Sequence, residues 1–201
     1  MIAILDYDMG NLRSVSKAIE HVGGECQVTR DPKAVAKADK LILPGVGAFQ
    51  DCMANLKSYG LVEPLREFIA GGRPFLGICL GMQLLMDESE EGGRHQGLGI
   101  LPGKVRRFSP ELQLKVPHMG WNSLKLQGKP TLLAGMEGEY VYFVHSYYVD
   151  PAQPKRVTAA TAEYGIPFAA SLEFENIYAT QFHPEKSQRV GLGLLQRFVK
   201  L

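Results

Sequence analysis

Residues 75 to 83 read Phe75-Leu76-Gly77-Ile78-Cys79-Leu80-Gly81-Met82-Gln83. An apolar run stops at a cysteine that has a glycine two residues before it and another two after it, and a helix-like pattern follows. This is the spacing of a nucleophile elbow, with sulfur in place of the usual hydroxyl. The geometry accounts for the residue types. A strand must turn sharply into a helix, the nucleophile adopts a strained conformation, and side chains at the flanking positions would collide. The turn also places the sulfur beside backbone N–H groups at the start of a helix, which suits negative charge. Taken alone, the pattern fits a buried structural cysteine beside packing glycines equally well, because free cysteines are often buried.

Two distant residues shift that balance. Ile177-Tyr178-Ala179-Thr180-Gln181-Phe182 reads as a strand, and His183-Pro184-Glu185 follows it. Pro184 favours an extended His183, and alternate residues of an extended chain share a face. The spacing therefore predicts the Glu185 carboxylate beside the His183 imidazole. A cysteine paired with a histidine that a carboxylate orients is an activated-nucleophile arrangement. His183 alone reads as an ordinary satisfied histidine, and Glu185 alone as a solvated charge. All three at strand ends point to covalent catalysis.

With these residues in view, the chain resembles the class I (triad) glutamine amidotransferases. The motifs that carry the resemblance are Gly77-Ile78-Cys79-Leu80-Gly81-Met82-Gln83, Phe182-His183-Pro184-Glu185 and Pro44-Gly45-Val46-Gly47. Within that family it is similar to the glutaminases that serve imidazole glycerol phosphate synthase. That narrower likeness rests on Asp6-Tyr7-Asp8-Met9-Gly10-Asn11-Leu12, Pro117-His118-Met119-Gly120-Trp121-Asn122 and Phe143-Val144-His145-Ser146-Tyr147. One departure is visible: relatives commonly carry glycine where this chain has Asp8.

The resemblance implies hydrolysis of L-glutamine to glutamate and ammonia. Cys79 attacks the side-chain amide carbon, His183 moves the proton, Glu185 steadies the imidazolium, and water cleaves the thioester. The elbow makes the Leu80 N–H one oxyanion-hole donor. The second is expected from Val46 and Gly47 in the Pro44–Gly47 turn, where glycine on both sides of Val46 lets the peptide rotate at little steric cost. The resemblance further implies that the partner gates this rotation; an ordinary Pro-Gly turn fits the same residues. Gln83, one helical turn after Cys79, faces the same side and by resemblance contacts glutamine. Glu91, Ser146 and Tyr147 are further substrate candidates, with Glu91 suited to the α-ammonium group. No cofactor and no metal are implied.

Glutaminase activity alone would waste glutamine, and the sequence offers no acceptor site and no phosphate loop, so the acceptor chemistry is expected on another polypeptide. The resemblance names it as a (βα)8-barrel cyclase subunit, forming a heterodimer in histidine biosynthesis. Pro117, His118, Met119, Trp121 and Asn122 form the candidate docking segment, since Trp and Met are common interface anchors; a core Trp beside a turn fits composition equally. Rival readings keep the triad but serve anthranilate, aminodeoxychorismate or pyridoxal phosphate synthesis. Others make the chain a non-catalytic regulatory subunit on the same fold, or a cysteine peptidase.

The chain has 201 residues, 45% hydrophobic and 21% charged, with a net charge of +1. That fits one α/β domain over residues 1–201 and gives no sign of nucleic acid or an anionic membrane as partner. Cys26, Cys52 and Cys79 are scattered and odd in number, so neither a disulfide framework nor a zinc site is indicated. No apolar run approaches a membrane span or a signal peptide, and a cytoplasmic location is the expectation.

The elements needed to position the triad are legible. Ile2–Leu5, Glu25–Thr29, Leu41–Leu43 and the run before Cys79 read as strands. Helices are expected from Leu12, after a cap at Asn11, from Asp31-Pro32, and over Leu61–Ala70. This alternation predicts a mostly parallel sheet flanked by helices. After about Gly92 strands dominate: Lys104–Phe108, Ser123–Leu126, Tyr140–Val149, Arg156–Ala162, Phe168–Leu172 and Ile177–Phe182. They are expected to form antiparallel additions and to return one strand to the triad. A stripe of Val190, Leu194, Phe198 and Leu201 closes the chain as a helix.

Overall fold

Several strands of the N-terminal half are apolar at nearly every position because both of their faces are covered. The computed structural model describes residues 1–201. In it, β1 (Ile2–Leu5), β2 (Cys26–Thr29), β3 (Lys40–Gly45) and β4 (Phe75–Cys79) lie parallel. Helices α1 (Leu12–His21), α2 (Pro32–Lys37), α3 (Phe49–Ser58) and α4 (Val62–Ala70) connect them. Period-two alternation sorts the strand residues between two cores. Ala3, Leu5, Leu41, Leu43 and Phe75 pack with Val35, Phe49, Leu56, Leu65 and Phe68. Ile2, Ile4, Ile42, Leu76 and Ile78 pack with Val15, Ile19, Leu194 and Phe198 on the other face.

The rest of the chain is mainly antiparallel. After the single-turn α5 (Leu80–Gln83) come the short β5 (Glu88–Ser89) and β6 (His95–Gln96), then β7 (Gly103–Arg107), β8 (His118–Ser123), β9 (Lys125–Leu126), β10 (Tyr140–His145) and β11 (Tyr147–Pro151). A helical turn α6 (Pro154–Val157) precedes β12 (Thr158–Tyr164), β13 (Ile166–Phe174) and β14 (Ile177–Thr180), and α7 (Gln188–Lys200) ends the chain. The main sheet has eight strands in the order β2-β1-β3-β4-β14-β13-β12-β9. β14 joins it parallel to β4, and β13, β12 and β9 extend it antiparallel. β10 pairs with β8, while β11-β7-β5-β6 forms a separate sheet.

The expected mostly parallel sheet with antiparallel additions is present. Several elements differ from the expectation. Helix α3 was not anticipated, although Phe49, Cys52, Met53 and Leu56 are spaced as a helical stripe and all four are buried. The run Tyr140–Val149 is two strands, because the chain leaves β8 for β7 at Ser146. Ser123–Leu126 likewise divides around the buried Leu124, with β8 on β10 and β9 on β12. The expected strand Arg156–Ala162 begins as a helical turn up to Val157. Leu201 lies beyond α7 and is exposed.

The turn from β4 into α5 is as tight as the glycine spacing requires. Cys79 has φ 55° and ψ −108°, a left-handed conformation that a non-glycine residue adopts at a cost. A Cβ on Gly77 would sit 2.7 Å from the Gly81 carbonyl oxygen, and a Cβ on Gly81 would sit 1.9 Å from that of Leu43. Gly81→Ala is therefore expected to destabilise the fold by about 3 kcal/mol or more, because a helix turn and a central strand must separate. Gly193→Ala, within α7, meets only the flexible end of Met136 at 3.3 Å and should leave the urea midpoint unchanged or raised. Equal losses in the two variants would contradict this account.

Candidate active site

Parallel register delivers three chain segments to one edge of the sheet. Gly45 pairs with Cys79, and Thr180 pairs with Ile78, so β3, β4 and β14 end together. The chain leaving β14 runs through Gln181 and Phe182 to His183. Backbone and side chain then fix that histidine. Its N–H donates to the Tyr142 carbonyl at 3.0 Å, and the Ser187 hydroxyl donates to its carbonyl at 2.6 Å. His183 Nδ1 lies 2.8 Å from Glu185 Oε1, and the two side chains are 3% and 1% exposed. The expected pairing of His183 with Glu185 is present, but strand alternation does not produce it. Pro184–Lys186 is a 3₁₀ turn, which curls the carboxylate back beneath the ring.

His183 Nε2 has no hydrogen bond of its own, nor does Glu185 Oε2; the Cys79 sulfur is the polar group against which Nε2 lies. Such contacts tighten when substrate binds. Burial opposes charging of this imidazole. The neighbouring Cys79 sulfur and the Glu185 carboxylate outweigh that, and His183 is raised to about 10. Once the ring has taken the Cys79 proton, the charged sulfur and the carboxylate hold it as an imidazolium, a ready acid for a departing amine.

Cys79 and His183 open onto a cavity of about 410 Å³, a size suited to a free amino acid. A larger hollow of about 900 Å³ along Lys125–Lys129 contains no cysteine and no histidine, and only two of its lining residues are hydrophobic. The cavity wall includes Val46, Gly47, Leu80, Gln83, Glu91, Ser146 and Tyr147, so every residue expected at the oxyanion hole or the substrate is at this one place. Their surroundings refine what each can do. The Val46 carbonyl accepts from the Cys52 thiol at 3.8 Å, and the Tyr7 hydroxyl donates to the Pro44 carbonyl at 2.6 Å. Glu91 Oε2 accepts from the Phe49 N–H at 2.8 Å and so caps α3 as well as lining the cavity. The Ser146 carbonyl accepts from the Phe108 N–H at 3.3 Å.

The docking segment divides by strand alternation. Met119 and Trp121 are 62% and 46% exposed, and Pro117 lines the cavity. His118 is not a surface residue: it is 4% exposed, and its ring stacks on Tyr164 at 4.1 Å and on Phe143 at 5.0 Å. Asn122 is half-buried and donates to the Glu163 carbonyl at 2.8 Å. Trp121 is thus neither in the core nor in a turn.

Sequence reasoning missed Gln181, which is fully buried with Nε2 3.7 Å from the Cys79 sulfur. Period-two alternation with His183 was the available signal. It also missed Tyr7 and Cys52 beneath the Pro44–Gly47 turn.

With the geometry established, comparison with known proteins is decisive. The profile described as "Glutamine amidotransferase class-I" matches residues 3–200. The chain belongs to the class I glutamine amidotransferase family. It is 58% identical over 98% of both chains to the imidazole glycerol phosphate synthase subunit HisH of Syntrophotalea carbinolica. It is 50% identical to the HisH subunit of Methanothermobacter thermautotrophicus, covering 100% of this chain and 98% of that one. Solved structures share the fold at lower identity. A glutamine amidotransferase crystal structure aligns with TM-score 0.76 at 19% identity, covering 100% and 99% of the two chains. PurLQS from Thermotoga maritima aligns with TM-score 0.74 at 16% identity, covering 99% and 97%. In this class I glutamine amidotransferase, Cys79 and His183 line one cavity, and Glu185 lies behind the imidazole. No helix is long and apolar enough to cross a membrane.

The buried histidines give this amidotransferase a defined acid response. Desolvation lowers His118 to about 4 and His145 to about 3. The unfolded chain, with ordinary histidines near 6.5, takes up these protons first. Their contribution to stability is therefore full above about pH 6.5 and is lost as pH falls toward 4 and 3. His183 has the opposite sign: its contribution is full below 6.5 and is lost as pH rises toward 10. Urea midpoints should fall on both sides of this region. The acid slope should be smaller in His118→Phe, and the alkaline slope smaller in His183→Asn. An unchanged acid slope in His118→Phe would contradict the assignment.

Proposed function

We propose that this chain is the glutaminase subunit of imidazole glycerol phosphate synthase. It hydrolyses L-glutamine and passes the ammonia to a cyclase subunit. The observation that carries this reading is that Cys79 and His183 meet on one amino-acid-sized cavity, with Glu185 held against the imidazole, in a chain 58% identical to a HisH subunit. In the sequence of steps, His183 Nε2 takes the Cys79 proton as sulfur attacks the amide carbon. The tetrahedral oxyanion is met by the Leu80 N–H and by a peptide of the Val46–Gly47 segment. His183, as imidazolium, then protonates the leaving ammonia, and Glu185 keeps the ring in register through the 2.8 Å contact. Water, activated by the same imidazole, releases glutamate. Gln83 Oε1 and Glu91 supply acceptors for the substrate's ammonium group.

The partner reading rests on the outer face of the β8–β10 pair. Met119, Trp121 and Tyr140 are exposed there at 62%, 46% and 58%. Val144, which lies opposite Met119, and Pro117 line the cavity. A barrel subunit seated on this apolar face would sit against the cavity mouth. That position suits the transfer of ammonia, which in bulk water would become ammonium.

Glutamate release by the purified chain, with and without the barrel subunit, tests the whole. Cys79→Ala should abolish turnover, and His183→Asn should lower kcat by about 10²–10⁴-fold, with the fold intact in both. Full turnover by Cys79→Ala would end the reading. Trp121→Ala should weaken association with the barrel by roughly tenfold or more in Kd, as for an interface anchor, while leaving thermal stability unchanged. A variant that binds normally but unfolds would remove Trp121 from the interface.

A further inference from the structure

Outside the triad, a series of buried polar groups is joined end to end. Gln181 Nε2 is 3.7 Å from the Cys79 sulfur, and Gln181 Oε1 is 3.0 Å from Gln83 Nε2. Gln83 Nε2 also reaches the Tyr147 carbonyl at 3.0 Å, and that carbonyl lies 2.8 Å from His145 Nδ1. His145 Nε2 is 2.9 Å from His118 Nδ1, and His118 Nε2 is 3.4 Å from Asn122 Nδ2. The Asn122 amide nitrogen also donates to the Glu163 carbonyl at 2.8 Å. Gln83, His118, His145 and Gln181 are all less than 9% exposed.

The two backbone carbonyls fix where every proton sits, because a carbonyl only accepts. The Tyr147 carbonyl requires the amide nitrogen of Gln83. One Gln83 proton goes there and the other goes to Gln181, so Gln181 must present its oxygen to Gln83. Its NH₂ group then faces the sulfur. A flipped Gln181 would set two NH₂ groups against each other. The same carbonyl requires a proton on His145 Nδ1, which leaves a lone pair on Nε2. His118 therefore donates from Nδ1 and accepts at Nε2 from Asn122, whose other proton serves Glu163. A second proton on either ring would put two donors face to face. Burial in the box formed by Phe108, Phe143, Tyr164 and Phe168 keeps both rings neutral.

We propose that Gln181 is a positioning residue that donates a hydrogen bond to the Cys79 sulfur, and that the chain running back to Asn122 locks its orientation, so that the exposed strand β8 is coupled to the nucleophile. A donor aimed at sulfur favours the negative charge the nucleophile must carry. The anchoring residues His118 and Asn122 alternate along β8 with the exposed Met119 and Trp121. A shift of that strand would reach the sulfur as the loss of a donor.

Two measurements test this. The first is the rate at which iodoacetamide alkylates Cys79 at pH 7, read by mass on its peptide. The second is kcat and KM for glutamine, and it alone rests on the glutaminase reading. A wild-type chain that alkylates but hydrolyses no glutamine even with the barrel subunit present would sink that reading, while alkylation still decides this one. Gln181→Met keeps the side-chain length but removes both polar ends. It should slow alkylation and lower kcat by about tenfold each, the scale of one hydrogen bond to a charged group, with KM within about twofold. If Gln181→Met does not fold, Gln181→Asn, which withdraws the amide from the sulfur, should show the same loss. His118→Phe keeps the stacking and should slow alkylation by roughly threefold, a partial loss of the same hydrogen bond. His118→Asn, whose amide nitrogen can replace Nδ1, should recover it. In the double variant, His118→Phe should add nothing to Gln181→Met. Wild-type alkylation in Gln181→Met, or a full additional factor from His118→Phe, overturns the proposal.

Discussion

The catalytic end of this molecule depends on one close approach, that of the first turn of α5 to the backbone of β3. The Gly81 position lies so near the Leu43 carbonyl that a Cβ there would come within 1.9 Å of its oxygen. Because α5 is pressed onto β3, the chain leaving β4 has no room for a gradual turn, and Cys79 takes φ 55°. A non-glycine residue held there costs on the order of 1–2 kcal/mol. The conformation persists because β4 is clamped in parallel register between β3 and β14. The same clamp sets the positions of the other parts: β3 ends at Gly45, beside Val46 and Gly47, and β14 hands the chain to His183. Strain at the nucleophile and convergence of the triad therefore have one cause.

A cluster of this polarity at the end of a buried sheet must satisfy its own groups. The His183 backbone is tied to β10 and to Ser187, and the Ser187 hydroxyl also accepts from the Tyr142 N–H at 3.0 Å. Among buried side-chain nitrogen and oxygen atoms, only His95 Nε2, His183 Nε2 and Glu185 Oε2 lack a partner. Two of these three belong to the triad. Unpaired polar atoms are costly elsewhere, but here one of them faces the sulfur whose proton it must take.

What the sequence made legible follows from local rules, and what it hid depended on tertiary pairing. The elbow was readable because two glycines at fixed offsets around Cys79 were joined by His183 and Glu185 after a second strand. The N-terminal strands were readable because continuous apolar runs between helix caps leave little choice. The break at Ser146 had no local sign: Tyr140–Val149 alternates smoothly, and only the exchange of β8 for β7 as partner divides it. Helix α3 was legible in principle, but its stripe runs through a cysteine and it begins beside the glycine-rich turn. His118 was misplaced for a different reason. Residues 117–122 were read as a block, whereas in a strand neighbours face opposite ways. Applying period two would have sent His118 inward and kept Met119 and Trp121 outside. The 3₁₀ turn that joins Glu185 to His183 had a proline signature that fits both an extended and a turning chain.

Two segments back the cavity wall, one behind Val46 and one behind His145. On one side, α3 is capped by Glu91, and its Cys52 thiol donates to the Val46 carbonyl, so the Pro44–Gly47 turn rests on that helix. On the other side, β8 shows Met119 and Trp121 to the surface while His118 reaches into the aromatic box. A strand offers no independent motion to its two faces, since successive side chains leave the same backbone in opposite directions. Whatever seats on the outer face must therefore either leave β8 where it is or displace His118. The packing around that ring, with Tyr164 and Phe143 stacked on it, allows few intermediate positions. Packing of this kind offers β8 discrete positions rather than a continuous range, and His118 is the side chain that any change of position moves first.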